Sequence, residues 1–219
     1  MQEKIYTIQI WDAFNNANEC PFCYIKKEVE KQYLKTVIDE LVMDYHFHDR
    51  IVEYAFCTEH LNMFYKKSDK LGFATLLEKM IGLEIKNMHK INKFNISRDS
   101  IRKRKCYLCE RIEKSIEKSI DSTISLWLEN ERFHSLYKKN GAFCQPHFFD
   151  LINKGKKIKS FIKKKKFLIM TYENHNERID LIEKNLKEYI KKFDFNYKNE
   201  DIKIDKEILI ESINIVKND

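Results

Sequence analysis

Two sets of cysteine and histidine, spaced almost identically, constrain this 219-residue chain more than any other feature. The first is Cys20-Pro-Phe-Cys23, followed at Cys57-Thr-Glu-His60; the second is Cys106-Tyr-Leu-Cys109, followed at Cys144-Gln-Pro-His147. The repeat extends past these residues, since Ala55-Phe56-Cys57 returns as Ala142-Phe143-Cys144. All six cysteines are used, and two of the seven histidines complete the pattern. Spacing of this kind is the mark of an internal duplication that gathers thiolates and imidazoles about a metal. Three thiolates and one imidazole suit tetrahedral Zn²⁺, and a closed Cys3His shell leaves no open coordination position, as in structural sites. The expectation is two Zn²⁺ per chain, on Cys20, Cys23, Cys57, His60, Cys106, Cys109, Cys144 and His147. Each site carries a formal charge of −1, which Lys26, Lys27, Arg104 and Lys105 would offset.

Other readings of the cysteines are weaker. Disulfides leave the two matched histidines unexplained and are rare in the cytosol. Iron–sulfur clusters use thiolates, but Cys3His is a less usual set for them. Cys20-Pro-Phe-Cys23 resembles the active-site helix start of thioredoxin-like oxidoreductases, making a thiol-redox enzyme an alternative. That resemblance implies a cis-proline loop against the site and βαβ alternation. The only other proline, Pro146, lies inside the second CxxH, and the alternation is missing. Which CxxC joins which CxxH is open from spacing. Closure within each copy is the simpler expectation because it costs less loop entropy; exchange would interlock the halves about a pseudo-twofold axis.

Four glycines and two prolines are too few for the turns of an all-β sandwich or barrel. Gly72, Gly82, Gly141 and Gly155 assemble neither GxGxxG nor GxxxxGK[ST]. Apolar residues recur at helical spacing over about 23–45 and about 108–129. Each CxxH should open a further helix, one from about residue 58 with an interruption near Gly72, the other from near Pro146. Glu131–Lys138, Ile182–Phe193 and Glu207–Val216 read as helices, Asp194–Asp205 as a loop, and 1–11 as a short strand or arm. The fold class expected is all-α: two tandem zinc-pinned helical repeats in pseudo-twofold relation, residues 1–97 and 98–193. A C-terminal loop and short helix over 194–219 completes one compact unit.

The charge of +7 is concentrated in the second half. Two clusters stand out: Arg102, Lys103, Arg104 and Lys105; and Lys154, Lys156, Lys157, Lys159, Lys163, Lys164, Lys165 and Lys166. They make a nucleic-acid-associated zinc protein an alternative function, although such a run is more often a solvated face, and Lys outnumbers Arg 34 to 7. Met1–Trp11 has no apolar signal core, and no run approaches the ~20 apolar residues of a membrane span. A cytoplasmic chain without a membrane partner is expected. His46 and His48, beside Asp44 and Asp49, share a face only on an extended strand, which makes a third metal site a weak candidate. His89, His134 and His175 are isolated and read as surface or helix-end residues. No Ser–His–Asp order, HExxH or nucleophile elbow occurs, and no carboxylate pair stands out as acid and base. The leading expectation is a non-enzymatic, intracellular, metal-pinned scaffold or interaction protein with a protein partner.

The chain resembles a family of uncharacterised bacterial proteins, a domain of unknown function found largely in anaerobes and built on repeated CPxC…FCxxH segments. The matching pieces are Asp12-Ala-Phe14, Glu19–Cys23, Phe56–His60, Cys106–Glu113, Leu126-Trp127, Gly141–Phe148 and Lys192–Tyr197. The resemblance implies a cysteine-rich helical architecture and brings no activity with it. Members sometimes carry the label of transporter substrate-binding protein, which the lack of an export signal here does not favour. The lysine run over 154–166 departs from the family's pattern.

Overall fold

A computed structural model describes residues 2–16, 19–43, 46–47, 54–90, 105–194 and 204–216. Among these the regular structure is helical, in nine helices. They are α1 (Gln2–Asn15), α2 (Pro21–Met43), α3 (Thr58–Lys67), α4 (Lys70–Lys90), α5 (Tyr107–Glu129), α6 (Glu131–Asn140), α7 (Gln145–Gly155), α8 (Phe161–Lys191) and α9 (Glu207–Val216). The all-α expectation holds. None of the described helices is long and apolar enough to cross a membrane.

The chain forms two compact units, one of Met1–Lys27 with Ile116–Asp219, the other of Glu28–Ser115. The first is built on aromatic rings. Phe14, Phe22, Phe133, Tyr137, Phe143 and Phe167 are all fully buried. Phe14 stacks on Tyr137 at 5.6 Å between centroids, and Phe22 on Phe143 at 5.8 Å. Offset and edge-on pairs of this kind add to the area that rings bury. The Thr171 hydroxyl donates to the Phe167 carbonyl at 2.8 Å, so the Tyr137 hydroxyl, 2.7 Å away, donates to Thr171. A buried phenol thus has its partner, and burial holds it un-ionised, well above its ordinary pKa.

The described residues 2–11 of the expected strand or arm are instead most of α1. Ile10, Ala13 and Phe14 are buried at i, i+3 and i+4, a helical stripe. The break after the first CxxH also differs from expectation. It falls at Ser68–Asp69, where Ser68 Oγ donates to Phe64 O at 2.6 Å and Asp69 Oδ2 accepts the Gly72 N–H at 2.9 Å. A side-chain acceptor three residues ahead starts a helix, and Gly72 is simply in its first turn. The expected helix over Ile182–Phe193 is the end of a much longer one, the 31-residue α8. Ser160 caps it by accepting from Lys163 N, and Phe167, Thr171, His175 and Ile182 form its buried stripe. Glu131–Lys138 and Glu207–Val216 are helical as expected. Most of Asp194–Asp205 lies outside the described residues.

In the second unit Val29, Leu34 and Val37 of α2 are buried, with Phe56, Phe64, Leu76, Leu108 and Ile112. A single parallel bridge joins Ala55 and Cys106. Ala55 N donates to Lys105 O at 3.1 Å and Tyr107 N to Ala55 O at 2.9 Å. It ties the residues before one CxxH to those that open the other copy's CxxC.

Candidate metal centres

All four motifs fold in the same way. Cys57 and Cys144 are the N-caps of α3 and α7, with backbone angles of −73°, 162° and −69°, 162°. Their histidines stand three residues further on, in the first turn. Cys20 and Cys106 immediately precede α2 and α5, and Cys23 and Cys109 stand three residues into each. In every case the first ligand's carbonyl accepts the first i→i+4 bond, from Tyr24, Leu61, Glu110 and Phe148, at 2.9–3.0 Å. Positions i and i+3 of a helix start share one face. A ligand pair is therefore aimed from the end of each helix. Pro146 fits because the first turn has no donor to lose.

The ligands meet in two quartets: Cys20, Cys23, Cys144 and His147; and Cys57, His60, Cys106 and Cys109. Closure within each copy is not what occurs. Each CxxC joins the CxxH of the other copy, and the ligand atoms of each quartet lie within 4.8 Å of one another. In the first quartet Cys23 Sγ lies 3.5 Å from Cys144 Sγ, and His147 Nδ1 lies 3.5 Å from Cys20 and Cys23 and 3.0 Å from Cys144. In the second, Cys57 Sγ lies 3.8 Å from Cys109 Sγ, and His60 Nδ1 lies 3.1, 3.3 and 3.6 Å from Cys57, Cys106 and Cys109. With Zn–S of about 2.3 Å and Zn–N of about 2.0–2.1 Å, a tetrahedron separates sulfurs by roughly 3.8 Å and sulfur from nitrogen by roughly 3.5 Å. The quartets have the dimensions of a tetrahedral shell. All six cysteines are free, and sulfurs 3.5–3.8 Å apart are far beyond a disulfide's ~2.05 Å.

Two helix N-termini point at each quartet, so the positive ends of the peptide dipoles face three thiolates and offset the excess negative charge. A Glu19–Lys27 ion pair at 2.6 Å flanks Cys20. His60 turns its other nitrogen, Nε2, to Glu30 Oε1 at 3.1 Å. That carboxylate–imidazole contact sets which nitrogen is free to ligate. Glu30 was not legible in the sequence as a site residue, being one of several acids on a charged helix; its one signal is its place seven residues after Cys23, on the same face. Burial separates the quartets. Cys20, Cys23 and Cys144 are buried, whereas Cys57 and Cys106 are half-buried and Cys109 is exposed.

Without a metal the crowded donors compete for protons. A hydrogen bond with Cys106 lifts His60 to about 9. Burial opposes charge on His147, yet its bonds with Cys144 and Cys23 raise it to about 9. Burial pushes Cys109 up to about 12 and holds Cys20 well above the usual thiol range. Burial also works against the Cys106 thiolate, but His60 and neighbouring backbone bonds bring that thiol down to about 6. Hydrogen bonds with Cys144 and Cys20 lower Cys23 further still.

Among the described residues the remaining candidates are not gathered into a site. Arg102, Lys103, Arg104 and His48 lie outside the described residues; Lys105 and His46 are exposed. Lys154 pairs with Asp121 at 2.8 Å, and Lys163 reaches the Leu128 carbonyl at 3.4 Å. His134 packs on Trp127, 4.6 Å between centroids. His175 is not a surface residue but is buried, stacked on Phe148 at 4.1 Å, and burial lowers its pKa.

No curated protein and no solved structure matches this chain. A family model does, over residues 1–219, and on that evidence the chain belongs to a family of unknown function, DUF6062.

Proposed function

We propose that each quartet holds one Zn²⁺ and that the chain is a non-enzymatic, zinc-pinned helical scaffold for interaction with other molecules. The observation that carries this reading is the convergence of eight side chains, distant in sequence, into two Cys3His sets of tetrahedral dimensions. Cys20, Cys23, Cys144 and His147 would hold one ion; Cys57, His60, Cys106 and Cys109 the other. With four protein ligands the shell is closed, so the metal supplies cross-linking rather than Lewis acidity toward a substrate.

Among the described residues outside the quartets, the groups whose ionisation is clearly displaced are Tyr137 and His175, each packed in the core, and the exposed pair Glu110–Lys114. None faces a cleft, where an acid or base would be tuned for catalysis. The thiol-redox alternative loses support because a thioredoxin-like fold needs a central sheet, and no strand occurs among the described residues. An interaction role is supported by large apolar side chains left exposed on α9, Ile210, Ile213 and Val216.

The test is metal analysis of the purified full-length protein, with unfolding followed with and without a chelator. Two zinc per chain and a melting temperature that falls sharply on chelation are expected, because structural zinc binding of about 10–16 kcal/mol is also folding energy. Fewer than two metals, iron in place of zinc, or a melting curve indifferent to chelator overturns the reading.

A further inference from the structure

Helix α8 has an apolar side it does not need for folding. Phe167, Thr171 and His175 face the core. At 100° per residue Ile162, Lys166 and Ile169 point the opposite way, with Phe161 and Tyr172 flanking them. These side chains are in solvent: Phe161 is 74% exposed, Ile162 67%, Tyr172 56% and Ile169 43%. A surface helix ordinarily turns charged and polar residues outward. Here the outward face carries aliphatic and aromatic groups with lysines between them.

The same stretch is uniformly basic. Residues 151–172 contain eight lysines and no acid. Lys154 is neutralised by Asp121 and Lys163 is drawn to the Leu128 carbonyl. Lys156, Lys157, Lys159, Lys165 and Lys166 are exposed and Lys164 is half-buried. The Ser160 cap starts the helix just at the apolar tip, so the positive end of its dipole lies beside Phe161 and Ile162.

We propose that the loop before α8 and the outward face of its first three turns dock on an anionic lipid surface. Phe161 and Ile162 enter the boundary between headgroups and acyl chains, while the lysines lie along the headgroups with their stems on the apolar side. Surface binding of this kind needs no spanning segment. A nucleic acid fits the patch less well. Phosphates satisfy the lysines but do not take Ile162 or Ile169 out of water, and isoleucine offers no face for base stacking. The stretch also lacks arginine, the side chain suited to bidentate phosphate or guanine contacts.

The experiment is co-sedimentation of the full-length, metal-loaded protein with vesicles of phosphatidylcholine alone and with about a third phosphatidylserine. Binding is expected only to the anionic vesicles and should weaken as salt is raised. The double variant F161S/I162S should lose at least tenfold in partitioning, and K165Q/K166Q about as much or more, at roughly fivefold per lysine near the surface. These side chains are exposed, so helicity and metal content should be unchanged in both. In a second measurement, the F161W variant should shift its emission to the blue on anionic vesicles only. Failure to bind anionic vesicles overturns the proposal. So does binding that F161S/I162S leaves intact, since that is charge attraction alone. Displacement from the vesicles by duplex DNA or RNA that F161S/I162S also binds at full strength assigns the patch to nucleic acid instead.

Discussion

The eight ligands were legible one by one because the two spaced sets take up all six cysteines and place a histidine at the same position in each copy. Glu30 is the opposite case, a carboxylate whose role exists only once α2 and His60 meet. Glu30→Gln keeps the shape but removes the charge that polarises His60 and fixes its free nitrogen. Loss of such an outer partner costs about 10–100-fold in metal affinity. The expected result is that drop at the second quartet alone, read by chelator competition with the first quartet as internal reference; an unchanged affinity would mean Glu30 is only a surface neighbour. Proton competition gives a further residue-scale prediction. At neutral pH the metal-free second quartet holds a proton on His60, raised to about 9, and one on Cys109, raised to about 12, while Cys106 near 6 is already ionised. The loaded site binds neither proton, so affinity must rise with pH. These two displaced protons alone mean about a hundredfold per pH unit between about 6 and 9. The slope falls by one as pH passes about 9, where His60 is already neutral. A pH series of metal-competition titrations measures it, and a flat profile would contradict the proton count.

At the scale of elements, periodicity located α2 and α5 to within a few residues, because their apolar residues recur along each helix, and α6 and α9 lie where short helices were expected. Periodicity failed at α1, where the buried residues among the described side chains are Ile10, Ala13 and Phe14, and over the first half of α8, where the lysine run hides the spacing of Phe167, Thr171 and His175. Lysine is a good helix former, so the basic run belongs to the helix. The turn from α6 into α7 was recognisable from Asn140-Gly141, and the structure shows why glycine is required. A Cβ at Gly141 would lie 2.4 Å from the Tyr137 carbonyl oxygen and 2.6 Å from Asn174 Nδ2, which itself donates to that carbonyl at 2.8 Å. Neither backbone nor the bound amide can yield cheaply. Gly141→Ala should therefore destabilise the metal-loaded protein by about 1–3 kcal/mol, as overpacking does. Because Cys144 follows three residues later, metal affinity at the first quartet should fall too. Thermal melts and chelator competition on the same variant check both; a variant as stable as the parent would show that the turn relaxes freely.

For the whole molecule, the pairing of the copies is what spacing could not supply. Local closure looked cheaper, yet loop entropy grows only as the logarithm of length, about 0.6 kcal/mol per doubling. Cys23 and Cys144 are 121 residues apart, against 34 from Cys23 to Cys57, so exchange costs roughly 1 kcal/mol more. That is small beside a metal site, and side-chain packing and the Ala55–Cys106 bridge decide the partner. Exchange also gives each quartet wholly to one compact unit. The first unit is discontinuous, Met1–Lys27 with Ile116–Asp219, and its quartet joins Cys20 and Cys23 of the short piece to Cys144 and His147 of the long one. The second quartet closes within Glu28–Ser115. The two metals should therefore protect different parts of the chain. In Cys144→Ser, hydrogen exchange is expected to rise across α1 and the start of α2, held then only by contacts such as Phe14 with Phe133, Tyr137 and Phe143. In Cys109→Ser, exchange should rise in α3 and the start of α5 while α1 stays protected. Exchange measured by mass spectrometry on both variants, each with its metal content determined, decides the matter. If losing the second metal exposes α1 as fully as losing the first, the units do not fold independently, and the metals pin one cooperative structure.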